Sequence, residues 1–299
     1  QQHAVLELFY LYNNTWTKRG DTFEGTWNSN IGQSVSLSYD GNRVIVGEPQ
    51  YTITTDVHAI YYAEKVGITN FERGRVCVYD FIENTSKWTL VKEFVGNDGG
   101  WTNLGIAVDI NNDGSIIIIG QKSKNNKDEV GYATLYKYNN DTTLWEILGI
   151  VNSGMTISAR YGMTLSINGA GTRFAVGYSM YDYHVGRINI HNVNNEMTLI
   201  KTFDGTNSQM LGKAQCLSKD GKKIIIGNGH SYETAGSYTI YEYDDSDWNI
   251  IKEESALVVG SWMGSSVSIS ADGSTYLSNL YTKWTVYTSE PEPEPEPEP

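Results

Sequence analysis

A 16-residue pattern occurs five times along this chain, and it restricts the possible folds more than any other feature of the sequence. Each copy begins with a glycine that follows a large apolar residue. Apolar side chains then alternate with small or polar ones, which is the period of a β-strand. The first glycines are Gly32, Gly105, Gly162, Gly212 and Gly264. Such repetition favours architectures in which one small unit stacks on copies of itself.

Each copy also contains a tight turn between two strands. A dipeptide that ends in glycine stands eight residues after the first glycine: Asp40-Gly41, Asp113-Gly114, Ala170-Gly171, Asp220-Gly221 and Asp272-Gly273. Asp-Gly favours a hairpin because glycine adopts positive φ without steric cost. The second strand ends, 15 residues after the first glycine, on Gly47, Gly120, Gly177 or Gly227, whereas the fifth copy has Asn279 there.

Two further strands complete each unit. Third strands are predicted at 75–79, 132–136, 187–191, 238–243 and 284–287. A polar turn then leads to fourth strands that begin near Trp16, Trp88, Trp145, Met197 and Trp248. A four-stranded antiparallel sheet cannot bury both faces alone, so the repetition predicts an all-β fold, namely a β-propeller of about five four-stranded blades. A β-solenoid or a β-sandwich is the alternative.

The two ends of the chain complement each other. The N-terminus supplies an additional fourth strand around Trp16, and the fifth copy has no fourth strand of its own. We therefore expect N-terminal strands to close the last blade and leave no open sheet edge. The strand at 5–12 has two open placements: it pairs beside Trp16, or it displaces the strand at 284–287.

The chain divides into a propeller domain at 1–289 and a Glu-Pro segment at 290–299. Five of the six prolines lie in this last segment. Alternating Glu and Pro forms neither helix nor ladder, and repulsion between glutamates extends it as polyproline II. We expect a stalk or an interdomain linker.

Charge and cysteine content exclude several kinds of partner and framework. The formal net charge is −13, and five of these charges lie in the Glu-Pro run, which leaves −8 for the rest. An acidic chain is a poor partner for nucleic acid, and no apolar run is long enough for membrane insertion. The two cysteines, Cys77 and Cys216, fall in strands of different copies, so we expect buried free thiols.

Two copies carry a family resemblance. The run from Leu104 through Asp113-Gly114 to Gly120 resembles the FG-GAP repeat of integrin α-chain propellers, and Gly32 to Pro49, with Gly47-Glu48-Pro49, is similar. The resemblance extends over about residues 4–289 and implies a propeller used for adhesion or ligand binding. Integrin rings have more blades than the five copies found here, so ring size and partner do not transfer.

The same resemblance raises the question of calcium. In calcium-binding members of the family the first hairpin is an Asp-rich loop, and Asp109, Asn111 and Asp113 have a similar spacing of oxygen ligands. No residue is inserted before Asp113 relative to the other copies, so Asp109 is also expected to belong to the strand. Apart from this calcium hypothesis we expect no cofactor.

Residues for catalysis are sparse. A glycosidase needs two converging carboxylates, and Asp109 is the one acid at a repeated axial position. The five histidines are scattered, and the sequence has no nucleophile elbow or phosphate-binding loop. We therefore expect a non-enzymatic protein, with a propeller glycosidase as the second alternative.

Strand order assigns the loops to two faces. One face carries the three glycosylation sequons, at Asn13, Asn84 and Asn140. The other face collects aromatic residues and one histidine as candidate ligand-binding residues. These are Trp27, Tyr51, His58, Tyr61, Tyr62, Trp101, Tyr178, Tyr181, Tyr183, Tyr232 and Trp262.

These features predict an extracellular or surface-displayed adhesion or recognition module. Tyr and Trp stack on sugars and anchor protein interfaces, so the expected partner is glycan or protein on another surface. The alternative from another class is a structural subunit of a surface filament, appendage or virion, whose partners are copies of itself.

Overall fold

The computed structural model describes residues 4–26, 29–52, 73–96, 102–122, 131–152, 161–179, 185–194, 196–206, 210–229, 235–258, 261–280 and 283–288. These residues form an all-β fold of antiparallel sheets, with one 3₁₀ turn at Glu83–Thr85. Strand order within each of the five principal sheets follows chain order. The all-β class and the four-stranded unit predicted from the sequence are thereby confirmed.

The strands have the following bounds. The N-terminal strands are β1 (Val5–Leu6), β2 (Phe9–Tyr12), β3 (Thr15–Lys18) and β4 (Phe23–Glu24). Sheet 1 contains β5 (Ser34–Leu37), β6 (Arg43–Glu48), β7 (Arg75–Ile82) and β8 (Lys87–Val95). Sheet 2 contains β9 (Val108–Ile110), β10 (Ile116–Gln121), β11 (Tyr132–Asn139) and β12 (Leu144–Asn152). Sheet 3 contains β13 (Thr164–Ile167), β14 (Arg173–Tyr178), β15 (Arg187–Asn192) and β16 (Thr198–Asp204). Sheet 4 contains β17 (Leu211–Leu217), β18 (Lys223–Asn228), β19 (Ser237–Tyr243) and β20 (Trp248–Ser255). Sheet 5 contains β21 (Val267–Ile269), β22 (Thr275–Leu280) and β23 (Lys283–Thr288).

Backbone hydrogen bonds join the turns of consecutive sheets in one series. The N–H of Tyr39 donates to the C=O of Asn112 at 2.9 Å, and Asn112 donates to Gly169 at 2.9 Å. Gly169 donates to Lys219 at 2.7 Å, and Lys219 donates to Ala271 at 2.9 Å. Each of these residues stands seven positions after the first glycine of its copy, so the same contact recurs at all four sheet-to-sheet junctions.

Close packing of glycines explains the two ends of the sequence pattern. A Cβ on Gly47 would lie 2.2 Å from the carbonyl oxygen of Gly105, and one on Gly227 would lie 1.9 Å from that of Gly264. The last glycine of one copy thus meets the first glycine of the next copy, where no side chain fits. The fifth copy has no following copy to meet, and it carries Asn279 at this position.

Apolar side chains fill the space between consecutive sheets. Ile45 and Val78 of sheet 1 pack with Ile110, Ile117 and Ile119 of sheet 2, all buried. Equivalent clusters lie between sheets 2 and 3, 3 and 4, and 4 and 5. The hydrophobic core is therefore a series of sheet-to-sheet layers rather than one central cluster.

The N-terminal strands lie against sheet 1. Leu6 and Leu8 pack with the core cluster of Phe23, Val44 and Val46 on the side of sheet 1 that faces away from sheet 2. Strand β2 pairs with β3 through Leu11 and Trp16, which is one of the two placements left open by the sequence. Among the described strand pairs, none joins β1–β4 to sheet 5. Closure of the last blade by these strands stays a prediction.

Both ends of the series of sheets have uncovered apolar positions. Leu37 of sheet 1 is 42% exposed, whereas its counterpart Ile110 in sheet 2 is fully buried. Val286 of sheet 5 is 64% exposed, whereas its counterpart Val78 is fully buried. Trp16 is 68% exposed, although the corresponding Trp88 is buried. The counterparts Ile110 and Val78 are covered by a neighbouring sheet, and Trp88 is covered by the N-terminal segment around Phe23.

The thiols agree with their sequence-based expectation in part. Cys77 and Cys216 are both free. Cys77 is buried, whereas the accessible surface of Cys216 is intermediate. Burial raises the pKa of both thiols, so neither has the acidity of a reactive cysteine.

His191 gives the fold a defined pH dependence. Its ring stacks on Phe174 with centroids 4.9 Å apart, and burial lowers the pKa of His191 to about 4. An unfolded chain binds this proton near pH 6.5, so stability is full above that pH and falls as the pH drops towards 4. We expect His191→Phe, which keeps the stacking, to remove this part of the pH dependence, on the order of 3 kcal/mol at the acid end.

The measurement is urea unfolding of the wild type and the variant at pH 7.5 and pH 4.5. Acidic groups common to both proteins cancel in the difference between them. An equal loss of stability in both proteins would contradict the assignment to His191.

Candidate functional site

Antiparallel strand order gives the sheets two distinct loop-bearing faces. We call the face with the first-to-second and third-to-fourth turns the hairpin face, and the opposite one the loop face. At the loop face, parallel bridges join Gly74 to Leu104, Gly186 to Leu211, and Gly236 to Met263. These bridges tie the second-to-third connection of one sheet to the entry of the next sheet, so the loop face has a regular backbone framework.

The three sequons lie on the hairpin face. Asn13 is in the turn between β2 and β3, Asn84 is in the 3₁₀ turn between β7 and β8, and Asn140 follows β11. All three side chains are exposed. They are therefore accessible to modification on the face opposite the predicted aromatic residues.

Three of the eleven predicted ligand-binding residues are described by the structure: Tyr51, Tyr178 and Trp262. The others lie outside the described residues: Trp27, His58, Tyr61, Tyr62, Trp101, Tyr181, Tyr183 and Tyr232.

The expectation that Tyr178 lies on an exposed loop is wrong. Strand β14 continues through this residue, and its side chain is 1% exposed. Its ring packs against that of Tyr161, with centroids 5.0 Å apart. The sequence placed the strand end at Gly177, one residue too early, so an interior residue was assigned to the surface.

Tyr51 belongs to an ionic network at the loop face of sheet 1. The Arg75 guanidinium lies 4.1 Å from the centroid of the Tyr51 ring. Arg75 donates two hydrogen bonds to Glu48 Oε1, at 3.0 and 2.6 Å, and one to Glu93 at 3.0 Å. Glu48 is 1% exposed, so Arg75 neutralises a buried carboxylate and its side chain also supports the tyrosine ring.

Of the three predicted ligand-binding residues that the structure describes, Trp262 alone is exposed. It is 44% exposed and has φ of 60°, a conformation that bulky residues rarely adopt. Asn279 Nδ2 and the Ser265 N–H both donate to its carbonyl oxygen, each at 3.1 Å. Asn103, at the same position of the second copy, has φ of 46°. The loop geometry is thus common to the repeat, and the tryptophan is specific to the fifth copy.

Lys213 is a neighbour of Trp262 that sequence reasoning missed. It lies in the irregular part of β17, and its Nζ is 5.3 Å from the centroid of the Trp262 ring. Burial lowers the pKa of Lys213. The available sequence signal was a lysine directly after the first glycine of the fourth copy and a tryptophan two residues before the first glycine of the fifth. The two side chains meet because sheets 4 and 5 stack on each other.

The three proposed calcium ligands have other partners. Asp109 lies in β9, which confirms the expectation that it belongs to the first strand of its copy. Its carboxylate accepts hydrogen bonds from Ser36 Oγ at 2.6 Å and from the Ile167 N–H at 2.8 Å. Asn111 Oδ1 accepts from the Ile116 N–H at 2.9 Å. Asp113 accepts from Ser115. These bonds join neighbouring sheets and close turns, and calcium binding by these residues stays a prediction.

Burial raises the pKa of Asp109, although its hydrogen bonds to Ser36 and Ile167 counteract the shift. Hydrogen bonds from Ser115 hold the pKa of Asp113 below its usual value despite partial burial. Within the described ranges, no group of three or more His, Cys, Asp or Glu side chains is placed to hold a metal ion.

Comparisons with known proteins leave the family open. No protein-family model matches this chain, and no curated protein matches it. The FG-GAP resemblance therefore stays a prediction from the motifs. No helix in the described part of the chain is long and apolar enough to cross a membrane.

The buried pair of Glu48 and Arg75 predicts a strong mutational effect. Arg75→Met should destabilise the protein by about 3–5 kcal/mol, because it leaves an unpaired carboxylate in the interior. Adding Glu48→Gln to Arg75→Met should restore most of this loss, since the remaining side chain is neutral. Urea unfolding at pH 7.5 measures both. If the single and the double variant are equally destabilised, the loss comes from packing and not from the buried charge.

Proposed function

We propose that this protein is a non-enzymatic recognition module that binds glycan or protein through its loop face. The five sheets are blades of a propeller, and the N-terminal strands contribute to its closure. The protein acts outside the cell or on a surface, where exposed sequons at Asn13, Asn84 and Asn140 are available for glycosylation. The Glu-Pro segment extends the propeller as a stalk or a linker.

The propeller is supported by the repeated contact between consecutive sheets. First strands of neighbouring sheets pack on one another, as β5 packs on β9, β9 on β13, β13 on β17, and β17 on β21. The series of backbone bonds from Tyr39 to Ala271 repeats in the same direction at each junction. When each unit is related to the next by the same rotation and translation, the units form a ring, as in a propeller, or a helix, as in a solenoid.

Ring closure would extend the same series by one junction. Ala271 would donate its N–H to the Tyr39 carbonyl oxygen, as Lys219 donates to Ala271. The contact would cover Leu37 and Val286, whose counterparts at the other junctions are buried. It would also place the N-terminal strands, already packed on sheet 1, beside the incomplete sheet 5.

The observation that carries the binding proposal is the exposed Trp262 in its left-handed conformation. A bulky residue at positive φ is unfavourable compared with asparagine, which occupies the position in the second copy. Strained, exposed aromatic residues supported by hydrogen bonds are typical of binding sites. The position on the loop face, away from the sequons, leaves the ring accessible to a ligand.

A second candidate function is a structural subunit that associates with copies of itself. It is favoured by the uncovered apolar positions at both ends, Leu37 and Val286, which lie on different surfaces. Sheet 5 of one copy would dock on sheet 1 of a second copy and repeat the junctions found within the chain. Such a head-to-tail contact extends into a filament unless the rotation closes.

Cysteine crosslinking separates these two arrangements. In a Cys77→Ala, Cys216→Ser background, we expect Tyr39→Cys with Ala271→Cys to form a disulfide within a monomer, because closure brings these backbones together. Non-reducing electrophoresis and light scattering measure the product. The matched control is Lys219→Cys with Ala271→Cys, whose backbones are hydrogen-bonded at 2.9 Å. Crosslinked dimers and larger species would favour the structural subunit instead, and an unlinked monomer would contradict both arrangements.

Trp262→Asn tests recognition. Asparagine is the residue of the first two copies at this position, so the variant should keep the wild-type melting temperature or exceed it slightly. On a glycan array and in titrations with the glycans it identifies, we expect at least a tenfold loss of affinity, because the stacking surface is removed. Tyr12→Ser, at an exposed aromatic residue in the β2–β3 hairpin, is the control and should bind normally. A wild-type monomer that binds no array glycan and no protein ligand would contradict recognition.

A further inference from the structure

Trp262 and Lys213 combine two complementary recognition groups at the junction of sheets 4 and 5. The indole is apolar and 44% exposed, and the ammonium lies over the ring, 5.3 Å from its centroid. An aromatic face stacks on the C–H side of a sugar ring, whereas an ammonium binds an anionic substituent. A single ligand that carries both features would contact both groups.

The charge of Lys213 has no carboxylate partner within the described residues. No Asp or Glu oxygen there lies within salt-bridge distance of its Nζ, although other lysines, such as Lys18 and Lys201, have one. The side chain is half-buried, and burial lowers its pKa. A partly desolvated cation gains more from an incoming anion than a solvated surface lysine does.

The backbone around this pair is held in place. Asn279 donates to Ser265 Oγ at 2.7 Å and to the Trp262 carbonyl at 3.1 Å. Gly227 and Gly229 allow sheet 5 to approach, since a Cβ on either would fall within 2.5 Å of its backbone. The backbone that carries the Trp262 ring is therefore held by packing, which reduces the entropy lost when a ligand binds.

We propose that Trp262 and Lys213 form a subsite for an acidic sugar, which stacks on the indole and directs its carboxylate or sulfate group to the ammonium. This inference rests on the proposed recognition function and specifies its ligand class. The protein as a whole is acidic, with a net charge of −13, so long-range attraction does not draw anions to it. Selectivity for the acidic sugar comes from this local pair.

The test uses the full chain and a matched pair of sugars. Calorimetric titration is performed with a glucuronic-acid-containing tetrasaccharide and with the same tetrasaccharide after carboxyl reduction, which keeps the rings and removes the charge. A sulfated tetrasaccharide forms a third arm that separates the two anionic groups. We expect the wild type to bind one of the acidic forms at least tenfold more tightly than the neutral form, as expected for one charge-assisted hydrogen bond.

Two variants and a control locate the effect. Lys213→Gln should remove the preference for the acidic sugar but keep the weak binding of the neutral one. Trp262→Asn should lose both. Lys92→Gln is the matched control, because Lys92 Nζ also lies 5.3 Å from an aromatic centroid, that of Phe94, on another sheet. It should bind like the wild type.

The outcomes also separate this inference from the proposed function. Equal binding of acidic and neutral sugars, or a preference that survives Lys213→Gln, would overturn the acidic-sugar subsite and leave recognition intact. The acidic-sugar subsite would also be overturned, with recognition intact, if every glycan bound on the array were neutral. No binding to any glycan or protein would remove both proposals.

Discussion

Close backbone contact between consecutive sheets is the interaction on which the rest of this structure depends. Gly47 and Gly105 meet where a Cβ would lie 2.2 Å from a carbonyl oxygen, and the turns are joined by N–H···O=C bonds of 2.7 to 2.9 Å. Large side chains at these points would separate the sheets and open the layers of Ile and Val between them. The glycines therefore determine how closely the sheets stack, and that stacking buries the apolar side chains.

The same dependence explains why the two ends differ from the middle. Equivalent side chains are buried at internal junctions and exposed at the ends, as Val78 and Val286 illustrate. The N-terminal strands cover the outer part of sheet 1 through Leu6 and Leu8, whereas Leu37 stays exposed. A repeat protein manages such ends by closure, by capping or by association, and each of these covers the exposed positions differently.

The functional candidates lie where the repeat is locally modified. Trp262 replaces a residue that suits its left-handed backbone better, and Lys213 introduces a charge next to it. At sheet 1, the ion pair of Glu48 and Arg75 supports Tyr51 beside the loop face. The framework residues keep a common structure across the copies, so residues at the loop face can differ between copies without disturbing it.

The sequence by itself determined the strands and the turns of each repeat. Alternating apolar residues and Asp-Gly dipeptides are local signals, because strand period and glycine φ depend on adjacent residues alone. Only the tertiary structure decided which side chains a neighbouring sheet covers. It buried Tyr178 and placed Lys213 beside Trp262, and through the carboxylate oxygens of Asp109 it joined three sheets. Burial and contact between copies depend on how whole sheets stack, and no local pattern specifies that.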